Sequence, residues 1–155
     1  MQSLGVLAVV ALVAFGLGSE AADAGPPPLL LSIKKTPNGE YSDVADVNLG
    51  PGKTKEFKLR ADNNNNAVDN DVFLESEPDS DGYKTKYFRK QHNVSPQVKG
   101  AGYDFRLNQG SSKTFKLTVK APESPGALCR IIYLRQQGGG VDYGNAFLTV
   151  NAPVC

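Results

Sequence analysis

Two stretches of this chain concentrate oxygen ligands. "DNNNNAVDND" runs from Asp62 to Asp71, and "ESEPDSDG" runs from Glu75 to Gly82. Alternate acidic residues can aim carboxylates at one hard cation, and Glu77, Asp79, Asp81 and Gly82 follow the opening of an EF-hand loop. The register then fails, because Phe88 stands where a bidentate Glu is required. Any calcium site would rest on Asp69, Asp71, Asp79 and Asp81. The blander reading stands beside it: a solvated Asn/Asp-rich loop that favours turns through local side-chain hydrogen bonds.

Other chemistry is sparse. The single histidine, His92, sits in the polar stretch "RKQHNVSPQ", with no Gly-x-Ser-x-Gly elbow anywhere. Neither cysteine has a sequence context that pairs it with a histidine base. No catalytic residues are expected, and the chain reads as not an enzyme. No cofactor is expected beyond calcium at the acidic set.

Charge is unevenly spread. Asp69, Asp71, Glu75, Glu77, Asp79 and Asp81 form an acidic block, and Lys84, Lys86, Arg89 and Lys90 follow at once, interleaved with Tyr83, Tyr87 and Phe88. One reading is a hairpin whose arms pair by opposite charge. The other is an interaction surface of Lys84, Lys86, Tyr87, Phe88, Arg89 and Lys90, for a polysaccharide, a membrane surface or a neighbouring subunit. Asn93-Val94-Ser95 has the form of a glycosylation sequon, followed by Pro96.

These residues need a scaffold. The uncharged run from Leu4 to Gly18 is short for a membrane span and suits a signal peptide, with Ala22-Asp23-Ala24 as an A-x-A cleavage pattern. The expected organisation is a signal peptide over 1–24, a proline-rich lead-in over 25–28 and one domain over 29–155. Loss of Glu20 and Asp23 would leave 17 basic against 14 acidic residues, a balance too mild to argue for nucleic acid. In an exported chain, Cys129 and Cys155 read first as a disulfide. If the last two strands turn near Asp142, antiparallel pairing puts those cysteines opposite one another.

Short alternating runs separated by turns predict an antiparallel, all-β, Ig-like sandwich of about seven to nine strands. "LLLSIKK" (Leu29 to Lys35) reads as an edge strand that could add to a neighbouring molecule. "LGPGKTKEFKL" (Leu49 to Leu59) and "LNQGSSKTFKL" (Leu107 to Leu117) share Leu-x-x-Gly-x-(Thr/Ser)-Lys-x-Phe-Lys-Leu. Their flanks differ, so the repeat predicts two equivalent corners of one sandwich rather than two domains. In each, glycine allows a tight reversal before Phe-x-Leu enters the core.

Those corner phrases, with "DVFLESEPD" between them and "TVKAPESPGALCRIIYL" after, resemble the Ig-like modules of bacterial and archaeal extracellular proteins, the NEW3 and CARDB type. The resemblance covers roughly Leu29 to Ala152. It implies an extracellular or cell-envelope setting and a non-catalytic structural or adhesive role, acting through a protein partner or self-assembly. A calcium- or glycan-binding module is the alternative.

Overall fold

The computed structural model describes residues 29–63, 70–136 and 142–152. The leader, Asp69 and Cys155 lie outside them.

Alternation of apolar and polar residues sets the strands, because successive side chains point to opposite faces. One sheet contains β1 (Leu30–Lys35), β3 (Thr54–Asp62), β8 (Ser112–Lys120), β5 (Lys84–Arg89) and the short β6 (His92–Asn93), in the order β1-β3-β8-β5-β6. The second contains β2 (Val44–Val47), β10 (Asp142–Val150), β9 (Leu128–Gln136), β4 (Asn70–Ser76) and β7 (Tyr103–Leu107), in the order β2-β10-β9-β4-β7. Phe57, Leu59, Tyr87, Phe115 and Leu117 of the first sheet and Leu74, Ile132, Leu134, Leu148 and Val150 of the second are buried in a common core. Each large apolar side chain removed from water this way contributes about 1.5–3 kcal/mol. The chain is a two-sheet β-sandwich.

The duplicated phrase acquires a structural meaning here. Its second halves are β3 and β8, and they pair antiparallel with Phe57 opposite Leu117, Lys58 opposite Lys116 and Leu59 opposite Phe115. The two Phe-Lys-Leu tripeptides thus form a local two-fold arrangement, with both Phe-Leu pairs in the core and both lysines on the outer surface. The corners match as well. Gly52 (φ 62°) and Gly110 (φ 65°) both occupy the left-handed region, which glycine enters without a Cβ penalty. An asparagine pins each corner leucine: Asn63 Nδ2 donates to the Leu107 carbonyl at 3.0 Å. At the other corner Asn151 Nδ2 donates to the Leu49 carbonyl at 3.0 Å, and Asn151 Oδ1 accepts from the Leu49 amide at 2.8 Å.

Two expectations, the charged hairpin and the register of the last hairpin, need correction. The acidic and basic arms are not a hairpin, since β4 and β5 belong to different sheets. The loop after Ser76 carries the chain across the sandwich, so its charges do not pair across strands. The sheets are not wholly antiparallel, because β2 runs parallel to β10. A short helix, α1 (Ser95–Val98), follows β6, with proline in its first turn where no amide donor is needed. The last hairpin has a different register, with Thr149 opposite Cys129, and Cys129 is nonetheless disulfide-bonded. Asp142 already belongs to β10 rather than to the turn.

β1 does lie at a sheet edge, paired with β3 of its own chain. Its outer side is partly occupied, because Ile33 and Ser42 exchange backbone hydrogen bonds of 2.7 and 3.0 Å.

Candidate functional site

The acidic residues are not gathered at one point. Asp71 is exposed at the start of β4, 3.8 Å from Arg106. Asp79 lies beyond the other end of that strand, and the run from Asp71 to Ser76 alone covers about 17 Å. Asp81 is exposed in a turn with φ 54°. Among the described residues no cluster of three or more His, Cys, Asp or Glu side chains could hold a metal ion. Asp79 is instead engaged by its own protein. Lys99 Nζ donates to Asp79 Oδ2 at 2.8 Å, the Thr85 amide donates to Oδ1 at 3.1 Å, and Arg130 Nη2 stands 3.8 Å away.

Burial pushes the Asp79 carboxyl up, but the hydrogen bonds from Lys99 and Thr85 outweigh it and hold the group below its ordinary value. A depressed carboxylate stabilises the fold above its unfolded-state pKa, and that contribution disappears as pH falls through the folded-state value. Denaturant midpoints measured across pH should therefore drop below about pH 4, and Asp79→Asn should flatten that acid limb. Identical acid slopes in the two proteins would show that Asp79 is uninvolved.

His92 is exposed on β6, opposite Arg89. Cys129 is exposed on the outward face of β9. Tyr87 drops out of the expected interaction surface, because strand alternation turns it into the core, where it is fully buried. Its hydroxyl donates to Ser76 Oγ at 2.8 Å, and burial pushes its pKa up to about 12. The Arg89 guanidinium packs 5.7 Å from the Phe115 ring. Lys84, Lys86 and Phe88 remain on the outer face, with Lys90 exposed in the turn that follows.

That outer face extends well beyond β5. Strand register places Lys34, Lys58, Lys116 and Phe88 side by side in one row across four strands. Lys86 lies one row along, and Lys84 and Lys120 stand directly opposite each other in the row after. Arg60 flanks the lysine row on the other side. Adjacent cations in a row are about 4.8 Å apart in the pairing direction, and rows are about 6.8 Å apart. Among the described residues, the acids sharing this face are few. Glu56 lies 3.8 Å from Lys116, and the buried Asp62 binds Arg60 at 2.7 Å. Two aromatic rings bear on the row: the Lys34 ammonium lies 4.9 Å from Tyr41, and the Lys116 ammonium lies 4.8 Å from Phe88. Beside Phe88 a shallow depression of about 180 Å³ is walled by Lys58, Lys90, Thr114 and Lys116.

Like charges directly opposite one another destabilise a sheet, typically by about 0.2–1 kcal/mol per pair. Lys58 faces Lys116, and Lys84 faces Lys120. The outer face of the second sheet has the reverse character, with Asp46, Asp71, Glu75 and Asp104 against Arg106 and Arg135. An anion is therefore attracted to one side of the sandwich. The β5 part of this surface is legible in the sequence, whereas Lys34, Lys58, Lys116 and Lys120 come together only through strand order.

No protein-family model matches this chain, and no curated protein is similar to it in sequence. Solved structures are similar in fold. A family 123 glycoside hydrolase from Clostridium perfringens superposes with a TM-score of 0.53 at 12% identity, over 79% of this chain and 27% of that one. A conjugative transposon lipoprotein from Bacteroides eggerthii gives 0.47 at 11% identity, over 81% of this chain and 98% of that one. The seventh ScaB type I cohesin from Pseudobacteroides cellulosolvens gives 0.33 at 15% identity, over 82% of this chain and 94% of that one. The hydrolase likeness extends to the fold and no further.

Proposed function

We propose that this protein is a non-catalytic, exported Ig-like module that attaches to anionic polymers of a cell envelope or extracellular matrix through the outer face of its first sheet. The observation that carries this reading is the set of directly opposed lysines, Lys58 with Lys116 and Lys84 with Lys120. They weaken the sheet when it is alone and become favourable when a polyanion lies over them. The apolar leader and its A-x-A site support export.

The test exploits that conflict. A Lys58→Gln/Lys116→Gln variant should elute earlier from a carboxylate cation-exchange matrix than a Lys35→Gln/Lys53→Gln control of equal net charge. Its urea midpoint should stay level or rise, by up to about 1 kcal/mol in stability. Equal retention of the two variants would sink the proposal.

A further inference from the structure

We infer that the polymer held on this face is an acidic polysaccharide with a carboxylate on successive sugars, laid across the strands along Lys34, Lys58, Lys116 and Phe88. This rests on the proposed function and names its ligand class. The lysine row offers one cation per strand, at a repeat of about 4.8 Å. A polyuronate rises by a comparable length per sugar along a stiff chain, and the long, flexible lysine side chains can reach carboxylates that turn to either side of it. At the end of the row the cations give way to an aromatic ring. Phe88 borders the depression walled by Lys58, Lys90 and Lys116, and a sugar can bury its apolar C–H face there while its carboxylate meets the ammonium groups.

Other polyanions fit less well. A bilayer surface cannot enter a depression beside Phe88. Phosphate recognition favours the bidentate fork of arginine. Arg60 already binds Asp62 and lies 4.3 Å from the Tyr41 ring, and Arg89, which also lines the depression, packs 5.7 Å from the Phe115 ring.

The protein is titrated with polygalacturonate, with fully methyl-esterified polygalacturonate, with linear polyphosphate and with phosphatidylglycerol vesicles. Polygalacturonate should bind, its methyl ester should not, and affinity should fall as salt rises. Lys58→Gln/Lys116→Gln should weaken polygalacturonate binding about thirtyfold. Phe88→Ala should weaken it about fivefold while leaving retention on the cation exchanger unchanged. Binding to polyphosphate or vesicles that equals or exceeds binding to polygalacturonate, with no effect of Phe88→Ala, would overturn the polysaccharide assignment and leave the broader polyanion reading standing. Equal cation-exchange retention of the lysine variant and its charge-matched control would overturn both.

Discussion

An Arg130→Ala variant is expected to lose about 3 kcal/mol of unfolding free energy, read as a lower urea midpoint. Arg130 lies on β9 between Leu128 and Ile132 in the strand alternation, and at 1% exposure it is among the largest fully buried side chains. Its guanidinium Nη1 donates to the carbonyls of Glu77 and Pro78, the latter at 2.7 Å. Hydrogen bonds from a charged donor contribute about 1.5–3 kcal/mol each when they form in place of solvent contacts. The pair fastens the loop that carries the chain from β4 in one sheet to β5 in the other, and so fixes where Lys84, Lys86 and Phe88 emerge. Alanine removes the donors and also leaves a cavity. Arg130→Met refills most of the space without restoring a donor, so it should recover part of the loss. If alanine and methionine cost the same, the hydrogen bonds dominate. If neither shifts the midpoint, the loop is held by something other than Arg130.

The same residue marks a limit of what local sequence encodes. "LCRIIYLRQ" announces a strand, and the observed β9 spans those residues. Alternation also places Arg130 in line with the buried Leu128 and Ile132. A charged residue at a core position is normally taken as a flaw in the pattern, because its acceptors are backbone carbonyls more than fifty positions away. Asn63 and Asn151 were hidden for a related reason. Each lies at the end of a strand in a turn-like context, and only the closed sandwich brings it to Leu107 or Leu49. Local signals sufficed for β7, which matches the alternating run "YDFRL", and for the two glycine corners. The candidate site divides in the same way. Lys84, Lys86 and Phe88 sit on one strand and could be seen together in the sequence. Lys34, Lys58 and Lys116 belong to three strands, and nothing short of the order β1-β3-β8-β5 makes them neighbours. The acidic block misled because adjacency in sequence resembled adjacency in space. Asp71 and Asp79 flank β4 at opposite ends, and Asp79 is held by Lys99.

The two copies of Phe-Lys-Leu should respond unequally to the same change. Phe57 and Phe115 are both buried at equivalent positions about the β3–β8 pair, so truncation to alanine should cost each about 3–4 kcal/mol. Their surroundings break the symmetry. Phe115 meets Phe105 edge to face at 5.1 Å and Tyr103 at 5.9 Å, two rings contributed by β7 of the opposite sheet. Such aromatic pairs add about 0.5–1.5 kcal/mol beyond the area they bury. Phe115→Ala is therefore expected to be more destabilising than Phe57→Ala by about 1 kcal/mol or more, measured as the difference in urea-derived stability. Equal losses would mean that the β7 rings only fill space, and a larger loss at Phe57 would overturn the asymmetry. The same variants separate fold from function. Phe115 lines the depression beside Phe88, whereas Phe57 does not, so a Phe57→Ala protein that remains folded should bind polygalacturonate with unchanged affinity. A folded Phe57→Ala protein that loses this binding would show that the lysine row depends on the core packing directly beneath it. The opposed lysines would then be held in register by the apolar half of the duplicated phrase.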